Sequence, residues 1–303
     1  MSELRFDGRV AVITGAGRGL GRSYALLLAS RGAKVVVNDP GVSMQGDGID
    51  AGPAEEVVQE IKAAGGEAIA NLDSVATPEG GQAMIDAAMN AYGRIDILIH
   101  NAGIVRSGML DELSYQDFED VLDVHLRGGF HVVRAAFPYM KKAGYGRIVM
   151  TGSINGIYGN KNAGNYSMAK AGLMALANVS AIEGEAFGIK ANTILPAAVT
   201  RMSEGVDTSA FPPMDPALVA PVVAWLAHES CSVTGEMLAS AAGRVAIDYV
   251  AETTGVYQPS WTLEEIAAQM DAIRDTSDSQ IFPPAPLGHI DHLKFSFAMA
   301  TKK

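Results

Sequence analysis

Residues 9–21 read RVAVITGAGRGLG. The first part, RVAVITG at 9–15, is an apolar, partly β-branched run that suits a strand buried on both faces. It gives way to a loop carrying Gly15, Gly19 and Gly21, with Arg18 and Leu20 between them, and then to a helical pattern from about Leu20 to Ser30. A strand that turns into a helix through residues without side chains lets the main chain approach a pyrophosphate, which the positive end of the helix then holds. Three glycines alone mean little. At the first strand-to-helix junction they point to a dinucleotide.

The same strand-and-helix pattern repeats outward from this stretch. AKVVVND at 33–39, GEAIANL at 66–72, IDILIHN at 95–101, GRIVMTG at 146–152 and IKANTIL at 189–195 read as further strands with helical segments between them. This alternation predicts an α/β fold with a single doubly wound parallel sheet of Rossmann type and helices on both faces. Residues 1–243 are expected to form the catalytic domain. After Gly243 the alternation stops, and 244–303 reads as a C-terminal extension packed on the same domain. Within it, WTLEEIAAQMDAIRD is a helix capped by Thr262 with Glu265 three residues on. Two stretches are irregular. Residues 40–53, PGVSMQGDGIDAGP, form a longer loop than a βα unit needs, and 196–216, with FPPMDP at 211–216, has the length of a lid.

Open α/β sheets bind ligands at the carboxyl ends of their strands. Asp39 ends the second strand, where a carboxylate accepts hydrogen bonds from the adenosine ribose hydroxyls and repels a 2′-phosphate, which favours NAD. Arg18 pulls the other way, because a basic residue in the glycine loop can pair with that phosphate. Asp39 carries more weight, since it meets the phosphate directly. Asp73 and Ser74 after the third strand, and Asn101, Ala102 and Gly103 after the fourth, extend the expected cofactor site. No metal is expected.

Ser153 follows the fifth strand, Tyr166 comes thirteen residues later, and Lys170 four after that. With a helix starting near Ala163 or Gly164, Tyr166 and Lys170 share one face of its first turns. Oxidising an alcohol carbon requires a base for the hydroxyl proton. A free tyrosine titrates near 10, too high for that role at neutral pH, and an adjacent ammonium favours the phenolate. Ser153 then hydrogen-bonds the reacting oxygen. A serine hydrolase is a poor reading, because no G-x-S-x-G elbow surrounds Ser153.

TGAGRGLG, NAG at 101–103, Ser153 and YSMAK at 166–170 together resemble the short-chain dehydrogenase/reductase superfamily over about residues 8–243. The resemblance implies catalytic roles for Ser153, Tyr166 and Lys170, with Lys170 also holding the nicotinamide ribose. Where that superfamily has a catalytic asparagine supporting a helix distortion, this sequence has His125, in DVHLRGGF. The histidine either makes similar hydrogen bonds or is a packed replacement. After the sixth strand Pro196-Ala197 stands for the usual Pro-Gly, and the resemblance places Val199 and Thr200 against the nicotinamide carboxamide. GIYGNKNAGNYSMAKAGLMALANVSAIEG and the HLRG segment are similar to the dehydrogenase units of type 2 peroxisomal multifunctional enzymes. That branch implies a (3R)-hydroxyacyl-CoA as substrate, with a 17β-hydroxysteroid or a steroid-derived acyl-CoA as alternative. An NADPH-dependent 3-oxoacyl reductase and a non-catalytic dinucleotide sensor are the remaining readings. A homodimer or homotetramer is implied, formed through the helices carrying HLRG and YSMAK.

Composition sets the outer bounds. The chain has 303 residues, 48% of them hydrophobic, enough for a large core. A net charge of −11 excludes general binding to nucleic acid, which needs clustered Lys and Arg. The single cysteine, Cys231, admits no intrachain disulfide and fits a reducing compartment. No apolar run reaches the length of a membrane span, MSELRFDGRV has no signal-like segment, and AMATKK does not match the peroxisomal tripeptide. The expected location is cytoplasmic.

Overall fold

The structure is a computed structural model and describes residues 3–42, 48, 50–200 and 210–301. Residues 43–47 and 49 of the long loop after Asp39, and 201–209 of the lid-length stretch, lie outside the described residues.

Each apolar run of the sequence becomes a strand: β1 (Val10–Thr14), β2 (Lys34–Asn38), β3 (Glu67–Asn71), β4 (Ile97–His100), β5 (Gly146–Thr151) and β6 (Ile189–Ala197). Every residue of β1, β4 and β5 is buried, which is why these strands read as continuous apolar runs and do not alternate. Two further strands, β7 (Met237–Ala241) and β8 (Arg244–Asp248), follow. The sheet runs β3-β2-β1-β4-β5-β6-β7-β8, and the pairings from β3 through to β7 are parallel. β8 returns beside β7 through Ala242 and Gly243, both at positive φ, the geometry of a two-residue hairpin turn.

Helices cover both faces. On one, α1 (Gly19–Ser30), α2 (Gly52–Ala63) and α8 (Ala220–Ala227) bury Tyr24, Leu28, Val57, Ile61, Val223 and Leu226 against β1, β2 and β4. On the other lie α3 (Pro78–Tyr92), α4 (Tyr115–Leu122), α5 (Gly128–Ala143) and α7 (Gly164–Gly184), with the short α6 (Asn155–Tyr158) leading into α7. The strand order reverses between β1 and β4, so a crevice opens at their carboxyl ends.

The chain divides into two compact units, Met1–Ile247 and Asp248–Lys303. Because β8 continues the sheet past Gly243, the first unit runs beyond the point where the sequence alternation stops. The second unit holds the antiparallel pair β9 (Ala251–Thr253) and β10 (Ser279–Ile281) with α9 (Leu263–Ile273) and α10 (Gly288–Thr301). Thr262 and Glu265 close a reciprocal capping box on α9, as their spacing predicts. Phe282 packs against His292 and Phe295, and the His292 ring lies 2.8 Å from the Glu252 carboxylate.

Candidate active site

Gly15 and Gly19 sit at φ of 62° and 51°, in the left-handed region that favours glycine. A Cβ on Gly15 would lie 2.9 Å from Ala102 Cα, and one on Gly21 only 2.2 Å from the Gly15 carbonyl oxygen. Gly21 is thus a packing requirement beneath the turn, while Gly15 lets β1 and the turn after β4 approach each other. Asn101 ties that approach by donating from Nδ2 to the Gly15 carbonyl at 3.0 Å. Asp39 is held by two main-chain donors: Gly17 N–H to Oδ2 at 2.9 Å and Gly41 N–H to Oδ1 at 2.8 Å. Each carboxylate oxygen retains a second lone pair.

A cleft runs along these groups. Its walls bring together Gly15, Arg18, Gly19, Leu20, Asp39, Ser74, Asn101, Ala102, Gly103 and Thr200 among the residues the sequence selects. Arg18 Nη1 is buried there with no hydrogen-bond partner among the described residues. An orphaned guanidinium N–H, a side-chain-free turn and a fixed carboxylate fit the phosphates and ribose of a dinucleotide. Gly21, Asp73, Pro196 and Val199 do not line the cleft. The Asp73 carboxylate accepts from Asn71 Nδ2 at 2.7 Å, and Pro196 lies in β6 opposite Ser240.

The acid/base group stands at the end of β5. Lys170, 3% exposed on α7, donates from Nζ to the Thr151 carbonyl at 2.6 Å and lies 5.5 Å from the Tyr166 ring centroid. Burial pushes the Lys170 ammonium down to about 7. Burial also raises the Tyr166 phenol, and the Ser153 hydrogen bond draws it back. Desolvation of the phenol therefore leads, and what opposes it is the Ser153 hydrogen bond and not the expected lysine charge. Asn165 fixes the start of α7: Nδ2 donates to the carbonyls of Arg106 and Asp117 at 3.1 and 3.0 Å, and Oδ1 accepts from Tyr166 N–H at 2.8 Å.

His125 belongs to this cluster. It sits in a single π turn, Asp123–Arg127, between α4 and α5, where Gly128 N–H reaches back five residues to the Asp123 carbonyl. The imidazole meets the Tyr166 ring edge-on, centroids 5.3 Å apart, and its Nε2 lies 2.9 Å from the Ile104 carbonyl oxygen. Burial first, then the nearby Lys170 charge, push it well below its ordinary value, so it is neutral. Gly103 makes room for it, since a Cβ there would stand 2.4 Å from His125 Cε1. Beside a substrate hydroxyl, this arrangement gives a phenol to exchange its proton, a hydroxyl to orient it and a buried amine close to neutrality.

The short chain dehydrogenase family model matches residues 9–209. The chain belongs to this family. It is 54% identical to peroxisomal multifunctional enzyme type 2 of Drosophila melanogaster over 80% of its own length and 40% of that protein. It is 41% identical to a short-chain type dehydrogenase/reductase of Mycobacterium tuberculosis, over 90% of this chain and 96% of that one. The solved full-length Drosophila multifunctional enzyme superposes with a TM-score of 0.81 at 42% identity, covering 98% of this chain and 50% of that structure. The chain thus spans half or less of the Drosophila relative. As a short-chain dehydrogenase it is an oxidoreductase acting on CH–OH donors, from a family that binds a dinucleotide. Among the described residues, no helix is long and apolar enough to cross a membrane.

Sequence reasoning missed several residues that hold this short-chain dehydrogenase site together. Thr151 and Asn165 anchor the lysine and the tyrosine. Asn38 donates from Nδ2 to Asn71 Oδ1 at 2.8 Å and to the Asp73 carbonyl at 2.9 Å, and so fixes the turn after β3. The available signal was a polar residue at the end of, or just before, an apolar run, a position that buries its hydrogen-bonding groups.

Proposed function

We propose that the protein is an NAD-dependent dehydrogenase that interconverts a secondary alcohol and a ketone, with a 3-hydroxyacyl-CoA as substrate. The observation that carries this reading is the gathering of Ser153, Tyr166 and Lys170 at the end of β5, beside the cleft at the strand-order reversal. Tyr166 takes the hydroxyl proton, Ser153 orients the oxygen, and Lys170 holds the ribose and, when charged, favours the phenolate. The bound nicotinamide supplies the hydride acceptor. Asp39, with both oxygens fixed by main-chain donors, supports NAD. The thioester part rests on the likeness to type 2 multifunctional enzymes.

Replacing Tyr166 by Phe tests the mechanism: turnover falls at least about a hundredfold, while the dissociation constant for NAD stays within about threefold. Unchanged turnover would sink it. Steady-state kinetics with matched 3-hydroxyacyl-CoA and 17β-hydroxysteroid substrates separates the two substrate readings. The buried Nη1 of Arg18, without a partner among the described residues, supports a second cofactor reading, NADP. Asp39→Ala decides between them. It weakens NAD and relaxes discrimination if Asp39 selects the cofactor, and hardly alters preference if the enzyme is an NADPH-dependent reductase.

A homo-oligomer is supported by apolar side chains that the single chain leaves exposed on the expected helices: Phe130 on α5, and Met168, Val179 and Ile182 on α7. Light scattering on the purified protein measures it. The single, buried Cys231 supports a reducing, cytoplasmic location, while the Drosophila relative is peroxisomal by name. Fractionation of the source cells distinguishes the two compartments.

A further inference from the structure

His100 closes β4 with 1% of its surface exposed, one residue before the Asn101-Ala102-Gly103 turn. Its proton can be placed by counting donors. Thr14 Oγ1 accepts the N–H groups of Asn101 and Ala102, each at 3.0 Å, which occupies both hydroxyl lone pairs. The Thr14 hydroxyl hydrogen is then left to donate to His100 Nδ1, 3.1 Å away. With Nδ1 an acceptor, the neutral ring carries its hydrogen on Nε2 and donates it to the His125 main-chain carbonyl at 2.8 Å. Burial pushes His100 down to about 4, which leaves it with one ring proton at neutral pH.

The acceptor at the end of this chain lies within the π turn that holds the His125 imidazole against Tyr166. Gly129, on the first turn of α5, provides the space, since a Cβ there would meet His100 Cδ2 at 3.2 Å and Leu173 Cδ2 at 2.6 Å. One line of hydrogen bonds therefore runs from the turn beneath the dinucleotide cleft, through Thr14 and His100, to the turn beside the tyrosine. We propose that His100 is a positioning residue of the dehydrogenase reaction: by donating to the His125 carbonyl it fixes the π turn, and with it the His125 imidazole, against Tyr166. The inference rests on Tyr166 as the acid/base group, and Tyr166→Phe fails separately if that reading is wrong.

The first test needs no turnover. In the ¹⁵N spectrum of histidine-labelled protein, His100 shows the Nε2–H tautomer, and an Nδ1–H or doubly protonated ring overturns the donor count. The second uses the enzyme saturated with dinucleotide and any secondary alcohol it oxidises. His100→Leu lowers kcat roughly tenfold, with KM for the alcohol and the dinucleotide dissociation constant within about twofold. His100→Gln, whose amide reaches the His125 carbonyl, restores kcat to within about threefold of the native enzyme. A parallel loss of kcat in both variants, or unchanged kcat in His100→Leu, overturns the proposal. Should the leucine variant not fold, His100→Gln and His100→Asn serve instead. The shorter asparagine reaches only toward Thr14 and loses kcat, and equal kcat in the two overturns it.

Discussion

Lys170 shows how the site weighs stability against chemistry. Its ammonium lies in the interior, where it donates to the Thr151 carbonyl, and burial pushes it from 10.5 down to about 7. Below pH 7 both folded and unfolded chains hold the proton, and the folded protein bears the full cost of the buried charge. Between pH 7 and 10.5 the unfolded chain still holds a proton that the folded protein has released, so stability rises with pH across that window. Without added dinucleotide, Lys170 therefore adds roughly 5 °C to the melting temperature between pH 6.5 and 9.5. Replacing it by Met removes that slope and abolishes turnover. Scanning fluorimetry of both proteins over this range checks the expectation, and parallel curves would refute the assignment.

At the scale of the element, the first turn of α7 sets where Tyr166 stands. Asn165 is fully buried, and its amide satisfies two carbonyls and one N–H from three different segments. Asn165→Leu fills similar volume but orphans all three groups. The expected cost is about 3 kcal/mol in urea denaturation, with kcat reduced more than KM. A loss below about 1 kcal/mol would show that the helix start is held by other contacts. The start of α7 was legible from sequence, as were β1 to β6, because burial on both faces leaves uninterrupted apolar runs. β7 and β8 were not. MLASA is built mostly of small residues, and β8 is half exposed, so neither has the run or the alternation that marks a strand. The π turn was legible only as a distortion implied by resemblance, since one extra residue in a helix leaves no mark on composition. Ser153, Tyr166 and Lys170 stood out by spacing, and the glycine loop by its place after β1. His100, Thr14 and Asn165 act by accepting and donating inside the core, and spacing carries no record of hydrogen bonds. Nor does it carry burial, which is why desolvation, and not the lysine charge, leads the Tyr166 shift.

For the molecule as a whole, the first unit contains the eight-stranded sheet up to Ile247 of β8, the cleft and all four candidate catalytic residues. Its core includes Ile13, Val35, Ile97, Val149 and Ile194, with Leu28 and Leu226 from the helices, all within Met1–Ile247. The second unit buries much less. Among the described residues of α9 and α10 only Gly288 is buried, and Leu263 and Phe297 are widely exposed. A chain ending at Val250 retains β8, which covers the outer edge of β7 and keeps that edge from pairing with another molecule. Such a chain is expected to melt cooperatively within about 5 °C of the full protein. Its dissociation constant for NAD should stay within about threefold, because every cleft residue is present. Thermal denaturation and calorimetric titration on the purified truncation measure both. Aggregation, or NAD binding weakened more than about tenfold, would show that residues 251–303 support the fold or the cleft of the first unit.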